Sequence, residues 1–401
     1  MTGPWRNWQG WPAIVAFAAA LAMPVLVENS GSSYLLGMGI EMMLLLLLIF
    51  FAVFAATRPD TASAGDAALL VGAHVAGGMA LWFLPEAVAA GTAAASLAPA
   101  GSSRALARIG AAPGFWALAL LAWLLAWQLV SRLAVLHGHD RAQALLLRIV
   151  VPFLFGVWLL FLWEVLARGF GVPFVILPPP SAIGATIAGS TAMLFADFRQ
   201  TFLKAALAGY AIGCLSGFLV AVVTARFIFL KRGLLPIGNL VAALPIIGIA
   251  PIMVMWFGFD WQSKAAVVVV MTFFPMLVNT VVGLGTADAM QKDLMHTYAA
   301  DYRQTLVKLR LPAALPFIFN ALKINSTLAM IGAIVAEFFG TPVVGMGFRI
   351  STEVGRMNID MVWAEVAVAA LAGSAFYGLL ALLERASTFW HPSFRQSSTE
   401  A

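Results

Sequence analysis

TADAMQKDLMHTYAADYRQTLVKLRLPA, residues 286–313, decides how this chain is read. On its N-terminal side lies SKAAVVVVMTFFPMLVNTVVGLG, 263–285, and on its C-terminal side ALPFIFNALKINSTLAMIGAIVAEFF, 314–339. Each flank is long and apolar enough to cross a hydrocarbon layer, which takes roughly 20 residues. The segment between them carries Asp288, Lys292, Asp293, Asp301, Arg303, Lys308 and Arg310, so it lies in water on one side of a membrane. Leu294, Tyr298, Leu306 and Leu309 recur at helical spacing, which predicts one or two short amphipathic helices. The Leu311-Pro312 step is expected to end that pattern, because proline disfavours helix at the residue before it. Two such helices suit docking into a groove on a soluble partner or lying at the lipid headgroups. Spacing leaves both open.

The same alternation extends through the chain. Of 401 residues, 62% are hydrophobic and 10% charged, and the mean hydropathy is +0.93. Soluble domains carry about 25% charge. A soluble enzyme, a disordered chain and a disulfide scaffold are therefore excluded, and an all-α polytopic membrane protein is expected. Ten spans are read: 11–28, 35–57, 67–85, 113–131, 149–168, 200–225, 234–257, 263–285, 314–339 and 361–383. Pro245 and Pro251 interrupt the seventh. The segment 86–112, rich in Ala, Gly and Ser, reads as an external loop. The segment 132–147 reads as a solvated linker, dividing an N-terminal four-span unit, 1–147, from a six-span unit, 148–393, and a tail, 394–401. With the N-terminus inside, 14 of the 23 basic residues fall in inside segments and eight in outside segments, Lys323 lying within a span. That bias places both termini in the cytoplasm. The net charge of +5 is accounted for by these short loops, so no nucleic-acid partner is implied. The first span reads as a retained helix, its apolar run being long for a cleaved signal.

Chemistry is sparse. Cys214 is the single cysteine, so no internal disulfide is possible. His137-Gly138-His139-Asp140 offers too few converging ligands for a metal. The nucleotide-binding pattern G-x-x-x-x-G-K-[ST] is absent, so any ATP-driven step needs Mg-ATP on another chain. The chain is expected to bind no cofactor and not to be an enzyme. The glycines from Gly209 to Gly217 read as helix-packing residues. Among intramembrane acids, Glu41 and Glu365 come nearest the middle of a span, without an evident partner. Pro245 and Pro251 suit an unwound helix beside a pathway, or a packed kink. Asn279, Asn325, Ser326 and Thr327 suit pathway lining or interhelical hydrogen bonds. Glu337, Arg349 and Glu353, near the outer face, suit contact with a partner or ligand, or solvation alone. Trp256, Trp261 and Trp363 sit where an interfacial belt is the default.

Residues 294–316, LMHTYAADYRQTLVKLRLPAALP, resemble the cytoplasmic loop of binding-protein-dependent ABC importer permeases. The family pattern is E-A-A, three residues, Gly, about nine residues, then I-x-L-P. Counted back from Leu311-Pro312, the acid falls on Asp293, the alanine pair on Leu294 and Met295, and the glycine on Ala299. The pair Ala299-Ala300, ahead of Asp301, is out of register with the family's own pair. Ile176-Leu177-Pro178-Pro179-Pro180-Ser181 resembles the family's L-P-x-P. Pro245, Ala250-Pro251 and Trp256-Phe257-Gly258 are similar to its P-x-x-x-x-A-P-x-x-x-x-W-F-G. Phe274-Pro275, Asn279-Thr280 and Gly283 are similar to its F-P-x-x-x-N-T-x-x-G. The resemblance covers about 149–393 and points to the subgroup carrying sulfonates, taurine, nitrate, riboflavin and thiamine-pyrimidine precursors. It implies a type I (MetI-like) importer permease core of the bacterial inner membrane, paired with a second copy among the membrane lipids. It also implies ABC ATPase subunits docked on 286–313 and an extracytoplasmic binding protein delivering the solute. An ion-coupled carrier acting alone is the competing reading.

Overall fold

A computed structural model describes residues 26–27, 33–34, 113–135, 141–242, 245–340 and 344–389. The expected spans 11–28, 35–57 and 67–85 lie outside these residues apart from Leu26-Val27, as do Glu41, His137 and His139. Leu26–Val27 (β1) pairs antiparallel with Ser33–Tyr34 (β2), a two-residue departure from an all-helical reading. Every other regular element among the described residues is helical. The chain divides into two compact units, 1–182 and 183–401.

In the first unit, α1 (Pro113–Val135) packs on α2 (Arg141–Gly169). The solvated linker expected over 132–147 is therefore helical over 132–135 and 141–147. Leu145, Leu146 and Ile149 keep the apolar spacing that carries a helix through these residues. Trp116 and Phe170 close the pair, with ring centroids 4.4 Å apart. Glu164, buried on α2, accepts from Ser181 N at 2.9 Å and Ser181 Oγ at 2.7 Å. Ser181 opens the helix α3 (Pro180–Gly189). A carboxylate distant in sequence thus satisfies one of the donors every helix start leaves unpaired.

The second unit is built on four long helical runs. The first passes from α4 (Thr191–Phe198) through a π-helical stretch, Arg199–Ala206, into α5 (Leu207–Arg226). After α6 (Ile228–Ala242) and α7 (Ile246–Phe257) comes α8 (Trp261–Gly285). Beyond α9 (Ala289–Thr297), the third run passes from α10 (Tyr302–Thr305) through a second π-helical stretch, Leu306–Arg310, into α11 (Leu311–Glu337). A short α12 (Met346–Gly355) and a long α13 (Ile359–Ser387) close the chain.

Gly209, Gly213 and Gly217 form the stripe on α5 that meets α8. A methyl group at Gly213 would lie 2.1 Å from Thr272 Oγ1, and one at Gly217 would lie 2.5 Å from the Phe273 carbonyl. The expected packing role of these glycines is what the structure shows. Asn325 on α11 ties the three helices together, donating from Nδ2 to Cys214 Sγ on α5 and to the Thr272 carbonyl on α8, at 3.2 and 2.8 Å.

Five helical runs among the described residues are long and apolar enough to cross a membrane: Ala144–Gly169, Thr191–Arg226, Trp261–Gly285, Tyr302–Glu337 and Ile359–Ser387. The chain is a multi-pass membrane protein. These runs cover five of the expected spans, and α1 covers a sixth. The seventh, 234–257, is corrected. It is two helices of 15 and 12 residues, with Pro245 at the start of the second and outside its helical backbone (φ −69°, ψ 120°). Proline disfavours helical backbone at the residue before it, which favours a division here. The expectation that Leu311-Pro312 stops a helix is also corrected. The helix runs through both residues and through Pro316. The π-helical stretch just before Leu311 shifts the hydrogen-bond pattern, so Pro312 sits where a missing N–H is tolerated.

Candidate functional site

Two polar constructions stand at opposite ends of the third run. The first is the segment quoted at the outset. Asp288 N donates to Gln291 Oε1 at 3.2 Å, a reciprocal arrangement that starts α9. Asp301 starts α10 in the same manner: Gln304 N donates to Asp301 Oδ1 at 2.7 Å, and Asp301 N to Gln304 Oε1 at 3.2 Å. Between them α9 ends in a tight left-handed turn. Ala300 N donates to the Met295 carbonyl and Ala299 N to the His296 carbonyl, both at 2.9 Å. This is the paired C-terminal cap that places its penultimate residue in left-handed backbone. That residue is Ala299, with φ 52°. The family's glycine position, found by counting back from Pro312, is therefore one where the chain needs a glycine's conformation.

No residue of α9 is buried. Met290, Leu294 and Tyr298, at successive i+4 positions, are 78, 56 and 78% exposed. They form one apolar stripe on a helix whose acid Asp293 is also exposed, while Met295 is half-buried. The four-residue stripe expected from spacing is thus split. Leu294 and Tyr298 are exposed, whereas Leu306 packs on the core and Leu309 is half-buried. Met290 was missed, although it stands four residues before Leu294. Two arginines fasten this end to the bundle. Arg226 lies over the Tyr302 ring, 5.0 Å from its centroid, and Arg310 Nε donates to the Leu284 carbonyl at 2.9 Å.

The second construction surrounds Glu337, the last residue of α11. Thr201, in the π-helical stretch, donates from Oγ1 to Glu337 Oε1 at 2.8 Å and accepts from Met346 N at 2.8 Å. Gly347 N donates to Glu337 Oε2 at 2.7 Å, and Gly345 N to Asp197 Oδ1 at 2.6 Å. Arg349 Nε pairs with Asp197 Oδ2 at 2.9 Å. Asp197, Thr201, Glu337 and Met346 are buried. Glu365 of α13 is also buried, with Asp197, Arg349 and Glu337 as charged neighbours. Lys264 is buried, and its Nζ donates to the Phe259 carbonyl at 2.6 Å. Glu337 is not a solvated outer residue. It is the hub of a network joining α4, the π-helical stretch, α11 and α12. Glu353 holds the far end of α12, accepting from Arg356 Nη1 and Asn358 Nδ2, both at 3.0 Å. Sequence spacing gave no sign of Asp197 and Thr201, because their partners lie about 140 residues away. Their only signal was polarity inside an apolar run.

The remaining expected site residues separate. Asn279 turns back on its own helix, donating to the Pro275 carbonyl at 2.8 Å. Asn325 makes the interhelical bonds described above. Pro251 lies within α7, half-buried beside the fully buried Ala250. Pro245 is exposed at the start of α7. The structure does not bring these residues together with Glu337 in one site. Among the described residues, no group of three or more His, Cys, Asp or Glu has the geometry to hold a metal ion.

Residues 213–388 match the model of the family described as binding-protein-dependent transport system inner membrane component. The formylaminopyrimidine transport permease protein ThiX of Halalkalibacterium halodurans is 31% identical over 243 residues, covering 60% of this chain and 95% of the relative. The riboflavin transport system permease protein RibX of Chloroflexus aurantiacus is 30% identical, over 59% of this chain and 88% of the relative. The taurine transport system permease protein TauC of Escherichia coli is 27% identical, over 58% and 86%.

Proposed function

Because the chain belongs to the binding-protein-dependent transport system inner membrane components, the ABC transporter permeases, we propose that it is the translocation subunit of an ATP-driven importer. In this reading a small polar solute of the sulfonate, nitrate or vitamin-precursor class is handed over by an extracytoplasmic binding protein. It crosses between this chain and a second copy in the bacterial inner membrane. ATP is hydrolysed on separate cytoplasmic subunits, with both termini of this chain on the same side. The relatives' names, with formylaminopyrimidine, riboflavin and taurine among them, support the sulfonate and vitamin-related part of that range, and none of them fixes the solute here.

The observation that carries the reading is α9. A helix with no buried residue presents Met290, Leu294 and Tyr298 to its surroundings, yet both its ends are capped. Apolar anchors at i, i+4 and i+8 suit a helix laid in a protein groove. The run from Tyr302 to Glu337 continues into the bundle without a break, so a push on the loop acts on a spanning helix.

The test is to extract the tagged chain in mild detergent from its host and identify what accompanies it. Near-stoichiometric ATPase subunits, together with uptake that collapses on ATP depletion, are expected. Recovery of the chain alone, active in vesicles under an ion gradient, overturns the reading in favour of a lone ion-coupled carrier.

A further inference from the structure

The start of α12 is capped in an unusual way. Helix starts leave donors that a neighbouring Ser, Thr, Asp or Asn ordinarily satisfies. Here Gly345, Met346 and Gly347 donate in succession to Asp197, Thr201 and Glu337, which belong to two other helical runs. Carboxylates at a helix N-terminus are also favoured by the helix dipole. The backbone comes close enough only because the turn is glycine-rich. At Gly345 φ is 145°, and a methyl group there would lie 2.6 Å from Glu337 Oε1. At Gly347 it would lie 2.1 Å from the Ile334 carbonyl. These donors are therefore satisfied only while α4, the π-helical stretch and α11 stay together. At its other end α12 is fixed to the start of α13: Asn358 N donates to the Glu353 carbonyl at 2.9 Å, and the Glu353 carboxylate holds Arg356 and Asn358.

Glu337 also ends the 36-residue run that begins at Tyr302 beside α9. At 1.5 Å per residue that run spans roughly 54 Å, more than the hydrocarbon layer. We propose that Asp197, Thr201 and Glu337 are positioning residues forming a latch on α12. Through this latch, movement of the ATPase-docking loop releases or seats α12 at the opposite face during transport. The proposal rests on the importer reading above. It adds a named outer element and the residues that connect it to the loop.

The experiment uses the assembled transporter in proteoliposomes. Val354, exposed on α12, is changed to cysteine, with Cys214 left in place because it is buried. Its reaction with a membrane-impermeant maleimide is timed with and without ATP and vanadate. A nucleotide-dependent change of at least threefold is expected, and Thr201→Val or Glu337→Gln removes that dependence. Thr201→Val, which keeps shape but loses the hydroxyl, is expected to lower uptake at least tenfold while retaining its ATPase subunits. Thr201→Ser restores both uptake and the labelling response. Labelling at position 354 that ignores nucleotide in the otherwise unaltered transporter overturns the latch, even if a latch variant fails to fold. So does uptake by Thr201→Val and Glu337→Gln within twofold of normal. Absence of ATPase subunits from the unaltered chain overturns the importer reading and the latch with it, and this result is distinct from a latch failure with the ATPase present.

Discussion

Ala299 shows how much one methyl group can matter. It sits in left-handed backbone (φ 52°) at the end of α9, where a non-glycine residue is disfavoured by roughly 1–2 kcal/mol. Ala299→Gly should relieve that strain, offset in part by the greater freedom of glycine in the unfolded chain. The expected outcome is a small net stabilisation, up to about 1 kcal/mol, seen as a higher melting temperature in detergent. ATPase coupling should be unchanged, and its loss would mean that the loop is out of register with the family pattern. Gly213 is the opposite case. Its missing side chain lets α5 approach α8, and a methyl group would strike Thr272 Oγ1. Gly213→Ala should cost about 1–3 kcal/mol, as overpacking does, and Gly213→Leu should abolish folded yield on size-exclusion chromatography. The alanine change also threatens the Thr272 carbonyl bond from Asn325, so its cost should exceed that of Gly184→Ala, where a methyl group meets open space.

Among the elements, α9 is the one whose stability and exposure pull apart. It is nine residues long and buries nothing, so its caps rather than its packing keep it formed. Substituting Met290, Leu294 and Tyr298 by Ser should leave the amount of folded chain unchanged while lowering recovery of ATPase subunits about tenfold or more, as removal of groove anchors does. Equal recovery would place the docking surface elsewhere. The short helix was legible in the sequence because its signal is local, apolar residues at helical spacing, and the family pattern counted from Pro312 put a glycine position at Ala299 without fixing its backbone. The continuation through Pro312 and Pro316 was not legible, because the π-helical stretch that leads into Leu311 leaves no mark in periodicity. The division of 234–257 was visible as two prolines, although only Pro245 breaks the helix and Pro251 is carried within it.

At the scale of the whole molecule, hydropathy located the long helices, since length and apolar content alone set which segments can cross a bilayer. It could not show the Glu337 network, whose members are far apart in sequence and individually resemble span-end charges. Burial of Asp197 and Glu337 is tolerable because backbone N–H groups, Thr201 and Arg349 meet them. Removing one member of such a set costs about 3–5 kcal/mol, so these residues also hold the second unit together. That unit, from Ile183 onward, contains the whole family match, 213–388, and both polar constructions. ThiX aligns over 95% of its length while leaving 40% of this chain unmatched, and the family match begins only at residue 213. Deleting 1–140 preserves α2 whole, since it begins at Arg141. The shortened chain, expressed in place of the full one, is expected to retain ATPase subunits and support uptake within about twofold. An uptake loss of tenfold with the ATPase still bound would show that the preceding segment takes part in transport itself, and loss of the folded chain would show that it braces the permease.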